Sequence, residues 1–227
     1  MENKKNILII GASSDIAVAV TKKLKNAAYT VLTTTRTSED STYNLDLTDS
    51  NSISEFEKII SNTPLHFIIY CAGFLKATEV TELFTGEYAR TSQQINFTAA
   101  AQLLSKLSKN IQPGGGIIAL SSTAGIWGNP QFPIYSSWKA ALNTFLQSLN
   151  KQLEESGRFV FSICPGPTNT KMRQDIAGDA EKHQAPEVVA SGVIRIMEHP
   201  TEYADSPILI IRNSVLYRLE QELIPIQ

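Results

Sequence analysis

Tyr135-Ser136-Ser137-Trp138-Lys139 sets a phenol and an ammonium four residues apart, with a serine pair, Ser121-Ser122, upstream. On a helix, residues i and i+4 share a face, so both groups can point into one site. A phenol titrates near pH ~10 in water, and a fixed cation beside it favours the ionised form and lowers that value. Such a set can donate and accept a proton at a carbonyl or an alcohol. The spacing alone also suits a surface lysine beside a half-buried tyrosine, so the surrounding sequence has to decide.

The elements that would position these groups follow a regular plan. Continuous apolar runs at 6–10, 30–34, 67–71, 117–121, 160–164 and 208–211 read as strands covered on both faces. Helical patterns fall near 15–28, 50–60, 86–109, 134–156 and 187–198. Trp138, Leu142, Phe145, Leu149 and Leu153 recur at helical spacing, which makes Trp138 a packing or subunit-contact residue. This alternation predicts an α/β fold, a doubly wound parallel sheet with helices on both faces, as a single domain over residues 1–227. Ligands in such folds bind at the carboxyl ends of the strands. The candidate residues all follow those ends.

Gly11-Ala12-Ser13-Ser14-Asp15-Ile16-Ala17 links the first strand to the first helix. Its small residues let the backbone approach a pyrophosphate, and the helix start adds N–H groups and positive potential. Ser13 and Ser14 add hydroxyl donors. The same segment also reads as an ordinary turn with a Ser or Asp cap.

Taken together, the loop and the Tyr/Lys pair resemble the short-chain dehydrogenase/reductase family in its compact, Rossmann-like form. The family loop reads TGxxxGxG; here Gly11 keeps the first glycine, while Asp15 and Ala17 stand at the other two. Asp15 brings a negative charge to the expected diphosphate position, or turns its carboxylate back to cap its own helix. Within Tyr70-Cys71-Ala72-Gly73, Ala72 and Gly73 match the family's Asn-Asn-Ala-Gly turn beside the cofactor. Asn96 matches the helix asparagine whose carbonyl holds a water near the lysine. Ser122 lies thirteen positions before Tyr135, as in the family, and Ser121 is the lesser candidate. Pro165, Gly166, Thr168 and Thr170 resemble the segment facing the nicotinamide.

By that resemblance the catalytic set is Asn96, Ser122, Tyr135 and Lys139, with Tyr135 and Lys139 also touching the cofactor. Thr35 occupies the family's acidic position at the end of the second strand, and Arg36 and Thr37 follow. An acid there would repel a 2′-phosphate and an arginine suits one, which favours NADP(H) over NAD(H). Asp46-Leu47 resembles the pair beside adenine, although Asp46 also suits a cap for the next helix. The expected activity is an NADP(H)-dependent interconversion of a carbonyl and a secondary alcohol, with Tyr135 as acid/base. Two alternatives stand beside it: a regulator or scaffold that keeps the fold with weak or no catalysis, and a nucleotide-sugar epimerase or dehydratase.

Composition narrows the partners. A net charge of −2 gives no general attraction to nucleic acid or to a membrane surface. No apolar run reaches the ~20 residues that span a bilayer. Cys71 and Cys164 lack CxxC spacing and suggest buried thiols in a reducing cytoplasm. His66, His183 and His199 form no metal-ligand pattern. The expected partners are a small carbonyl or alcohol and, by the resemblance, a second copy in a homodimer or homotetramer. Substrate choice should lie in 125–132 and in 171–185, whose polar side chains suit a polar or anionic substrate. The tail after 211 departs from the family and has a helical pattern over 216–223.

Overall fold

The computed structural model describes residues 4–25, 29–37, 40–78, 86–177 and 183–219. Eight strands form one sheet: β1 (Lys5–Ile10), β2 (Tyr29–Thr35), β3 (Tyr43–Asn44), β4 (Leu65–Tyr70), β5 (Ile111–Leu120), β6 (Phe159–Pro165), β7 (Ile208–Arg212) and β8 (Val215–Arg218). Their spatial order is β3-β2-β1-β4-β5-β6-β7-β8. Every neighbouring pair is parallel except β7–β8. The order reverses direction between β1 and β4, the switch point at which such sheets open a crevice.

Alternation along β1 shows why the strands read as unbroken apolar runs. Ile7 and Ile9 face a core shared with α1 (Asp15–Lys25) and α8 (Pro186–Glu198), through Val20, Leu24, Val189, Val193 and Ile196. Leu8 and Ile10 face the opposite core, with α2 (Ser50–Ile60), α4 (Ala99–Leu107) and α6 (Pro133–Leu153). Ile7, Leu8, Ile9 and Ile10 are all fully buried. Each such side chain contributes about 1.5–3 kcal/mol of transfer free energy, so neither face tolerates a polar residue.

Two elements differ from the sequence reading, and the pattern at 15–28 ends among residues outside those described. The single helix expected over 86–109 is α3 (Glu87–Gln93), a π-helical turn (Gln94–Thr98) and α4. The wider turn holds Asn96 in the interior, where its side chain bonds the backbone of a neighbouring loop instead of facing solvent. The tail is also not helical where it is described. Asn213 and Ser214 both have positive φ, 50° and 64°, and turn the chain back so that β8 pairs antiparallel with β7. That is a two-residue hairpin turn, and Val215, Leu216 and Tyr217 suit a strand on an edge that lacks a partner. Residues 220–223 lie outside the described set. No helix among the described residues is long and apolar enough to cross a membrane.

Candidate active site

Four local contacts build the catalytic wall. Lys139 is 2% exposed, and its ammonium donates to the Leu120 carbonyl at the end of β5, 2.8 Å away. Ser121 donates to the backbone carbonyl of the same lysine at 3.2 Å. A Cβ on Gly125 would lie 2.7 Å from the Lys139 carbonyl carbon, so only glycine allows the short helix α5 (Ala124–Trp127) to sit this close to α6. Ser122 accepts from Ala124 N–H at 3.1 Å, which starts that helix and fixes the hydroxyl beside Tyr135. Ser121 therefore positions the lysine, and Ser122 is the serine that faces the crevice with the phenol.

Ser122 and Tyr135 line one crevice of about 250 Å³, together with Pro165, Gly166, Thr168 and Thr170. Its position at the carboxyl ends of β5 and β6 is the one expected for the fold. The Lys139 ammonium lies 5.6 Å from the centre of the Tyr135 ring. The expected lowering of the phenol by that cation is not what the protein alone produces. Burial pushes Tyr135 up to about 12, with the Ser122 hydrogen bond and the Arg173 charge pulling downward, and Cys164 and Tyr88 upward. Burial also brings Lys139 down to about 8. With the lysine near 8 and the phenol near 12, the ammonium has lost its proton before the phenol titrates, so it contributes no charge to lower it.

Asn96 is fully buried below this wall. Its amide donates to Phe74 O at 2.7 Å and to Ser92 Oγ at 3.1 Å, while its Oδ1 accepts from Phe74 N–H at 3.1 Å. It thus holds the loop that follows Ala72-Gly73. A Cβ on Gly73 would lie 3.5 Å from Asn96 Oδ1 and 3.9 Å from the Lys139 ammonium, which places the three residues together. Tyr70, where the family pattern has an asparagine, donates to Ile95 O at 2.7 Å and braces the same π turn. Trp138 stacks on Phe97 with ring centres 6.4 Å apart, in keeping with a packing role.

In the phosphate loop, Gly11 has φ +81°, and a Cβ there would meet the backbone of Ala72 at 2.7 Å. Gly11 N–H donates to Thr34 Oγ1 and Ala12 N–H to Thr34 O, which ties the turn to β2. Ser14 caps α1 by accepting from Ala17 N–H at 3.2 Å. Ser13 is exposed and Ile16 lines the crevice. Asp15 does not cap its own helix. Its Oδ2 accepts from Lys171 N–H at 2.7 Å, the first residue of α7 (Lys171–Ala177). Because Ser14 already serves α1, the carboxylate is free to bridge the phosphate loop to the helix after β6.

At the end of β2, Thr35 is buried and accepts from Leu45 N–H, while Arg36 and Thr37 are exposed. Asp46 accepts from the Thr48 hydroxyl at 2.6 Å and from Thr48 N–H at 2.8 Å. These two bonds hold its carboxyl below the usual range against the opposing effect of burial, with the Arg36 charge the smallest contribution. Asp49, not Asp46, caps α2. Leu47 O accepts from Gln94 of the π turn at 3.1 Å, so the loop after β3 and the π turn share an anchor.

The Pro165–Thr170 turn is held by a residue that sequence reasoning missed. Gln184 donates to Ile211 O at 3.1 Å, to Thr168 Oγ1 at 3.2 Å and to Gly166 O at 3.4 Å, and its Oε1 accepts from Asn213 N–H at 3.0 Å. It binds the turn to the β7–β8 hairpin. No spacing signal marks a lone glutamine for this role. Thr170 caps α7 by accepting from Arg173 N–H at 3.3 Å. Both cysteines are buried free thiols, and no His/Cys/Asp/Glu cluster among the described residues could hold a metal.

A nicotinamide dinucleotide fits most of this arrangement. The Gly11 turn gives a side-chain-free approach, the exposed Arg36 and Thr37 stand at the ribose-side strand end, and the crevice joins the Pro165–Thr170 turn to Tyr135. Asp15 is the exception, a carboxylate bridging the loop that would carry the diphosphate.

Two measurements probe these features. Replacing Asp15 with Ala should cost about 1 kcal/mol and speed amide exchange at Lys171, while exchange in α1 stays unchanged because Ser14 is retained. Unchanged exchange at Lys171 would show that the bridge does not form in solution. For Lys139, the unfolded chain keeps its proton up to about 10.5, whereas the folded lysine releases it near 8. Between those values the unfolded state binds more protons, so stability rises with pH, on the order of 3 kcal/mol in full. Above pH 10 the folded Tyr135 holds its proton longer than the unfolded chain, and stability falls. In urea titrations across this range, Lys139→Met should abolish the rise and keep the fall; a rise that persists in the variant refutes the lysine's role.

The sequence profile described as short chain dehydrogenase matches residues 5–181. An uncharacterised oxidoreductase of Staphylococcus aureus (strain N315) is 28% identical over 162 residues, 68% of this chain and 68% of its own. A short chain dehydrogenase from Burkholderia cenocepacia J2315, solved in complex with NADP, superposes with a TM-score of 0.77 at 18% identity, over 92% of this chain and 89% of that one. A 4-hydroxyisoleucine dehydrogenase complexed with NADH gives 0.75 at 20%, over 88% and 93%. At these identities the structural likeness speaks for the fold. The profile says more, because it runs unbroken through the phosphate loop, Ser122, Tyr135, Lys139 and the Pro165–Thr170 turn: the chain belongs to the short chain dehydrogenase family.

Proposed function

We propose that this protein is an NADP(H)-dependent carbonyl reductase or secondary-alcohol dehydrogenase in which Tyr135 carries the proton. One observation supports this above the others: Ser122 and Tyr135 stand together on the wall of the crevice that the Pro165–Thr170 turn also lines. A bound nicotinamide dinucleotide supplies the hydride. Ser122 donates a hydrogen bond to the substrate oxygen, where negative charge develops. Tyr135 gives that oxygen its proton. A phenol held near 12 is fully protonated at neutral pH, which suits the acid role. Lys139 still carries charge at pH 7 and offsets the negative charge left on the phenolate. Asn96 keeps the Phe74 loop, and with it Gly73, in place beside the lysine.

The preference for NADP(H) rests on Arg36. Thr35 is buried and uncharged, so the first exposed side chain past β2 is a guanidinium, whose charge Asp46 feels. Planar donors of this kind suit a phosphate. Solved relatives in the family's fold hold NADP in one case and NADH in another, so the preference is argued from this chain's own residues. A second reading, a cofactor-binding regulator or scaffold, draws on Asp15, whose carboxylate bridges to α7 across the phosphate loop.

Fluorescence titration with NADPH and NADH separates these readings. NADPH should bind more tightly, and Arg36→Ala should weaken it about 10- to 100-fold while leaving NADH almost unaffected. Equal weakening of both would remove the phosphate from the argument. On a carbonyl panel, Tyr135→Phe should lower kcat about 10²- to 10⁴-fold and leave NADPH affinity intact. Tight NADPH binding without turnover of any carbonyl would favour the scaffold reading.

A further inference from the structure

The crevice contains one charged side chain that the mechanism does not use. Arg173, in the first turn of α7, lines the crevice opposite Ser122 and Tyr135. Its guanidinium carbon lies 5.0 Å from the centre of the Phe132 ring, which holds the group over the aromatic face. Its Nε is buried and has no hydrogen-bond partner. The ion pairs among the described residues are His199–Glu202 and Arg218–Asp205, so no carboxylate of the described chain neutralises it. Asp15, a nearby acid, is engaged with Lys171 N–H. A buried donor left unbonded costs free energy comparable to a lost hydrogen bond, so its persistence in a ligand crevice points to an acceptor supplied from outside.

The chemistry of that acceptor follows from the lining. Leu75, Trp127, Phe132 and Met172 give the crevice an apolar surface beside the neutral polar groups of Thr123, Asn129 and Thr168, and Arg173 is the one charged residue among those that line it. One cation matches one negative charge. The side of a guanidinium that includes Nε offers two parallel N–H donors, the geometry that a planar carboxylate fills. Resting on the carbonyl-reductase reading above, we infer that Arg173 anchors a carboxylate on the substrate, so that the protein acts on small oxo acids or the corresponding hydroxy acids. The carbonyl lies at Ser122 and Tyr135, the carboxylate at Arg173, and a short apolar body against Phe132 and Met172. Neutralising Arg173 would also relieve its downward pull on the phenol, which keeps Tyr135 protonated for the reductive step.

The test separates binding from turnover. A series of 2-, 3- and 4-oxo acids and their methyl esters is titrated calorimetrically into the protein with NADP+, which cannot reduce them. At least one acid should bind about 10- to 100-fold more tightly than its ester. Arg173→Gln should collapse that ratio towards one, and Arg173→Lys should restore part of it, with NADPH affinity and melting temperature unchanged in both. Equal binding of every acid and its ester, binding of neither, or an undiminished ratio in Arg173→Gln overturns the anchor. Turnover with NADPH is then read separately. Reduction of esters and acids alike would sink the anchor and leave the reductase reading standing. Acid-selective binding without reduction of any carbonyl would do the reverse.

Discussion

The attachment of α6 to the end of β5 is the constraint on which the site depends. The Lys139 ammonium bonds the Leu120 carbonyl, and the Lys139 carbonyl accepts from Ser121, so both ends of one residue are tied to adjacent strand-end positions. Gly125 then lets α5 lie directly on the same backbone. Once that residue is fixed, Tyr135 one turn earlier has little freedom in where it points. The cost is a buried ammonium, and its lowered value measures how far it has been taken from water.

A second set of ties converges on the same wall from the other side. The π turn at Gln94–Thr98 is held by side-chain bonds to three different parts of the chain, two of them made by its own residues. Asn96 bonds the Phe74 loop, Tyr70 bonds Ile95 O, and Gln94 bonds Leu47 O. An α-helical turn would not place all these groups in register, which gives the wider turn a physical reason beyond its sequence. Gln184 does the equivalent work for the Pro165–Thr170 turn by joining it to the β7–β8 hairpin. The edge hairpin is therefore connected to the cofactor-side turn of the crevice.

Much of this was legible in the sequence. The covered strands and the crevice at their ends followed from apolar runs, while Ser122 and Tyr135 were singled out together by the family resemblance. What was not legible shares a cause: contacts between residues far apart in the chain. Gln184 has no local pattern. For Asp15 local rules offered a place at the diphosphate or a cap on its own helix, and the partner it finds, Lys171, is brought near only by the fold. The tail had a helical pattern over 216–223, but where it is described the free edge of β7 takes Leu216–Arg218 into a strand. The Tyr135 expectation failed for a related reason. Sequence gives the identity of a neighbouring charge but not how dry the site is, and burial outweighs the lysine.

The charges around the crevice then form a coherent pattern. Arg36 stands exposed beyond β2, Lys139 is sealed beneath the wall, and Arg173 lies in the crevice with an unsatisfied donor. These three cations face the places where an anionic cofactor and an anionic substrate would bring charge. Against them stands Asp15, whose carboxylate joins the phosphate loop to the helix that carries Arg173. An anion in that position does for α7 what a bound phosphate would do, since both satisfy a backbone N–H at a helix start. Displacing it would free the first N–H of α7 and shift the support of Arg173 at the same time. The Gly11–Ala17 loop and Arg173 are thus linked through one short helix.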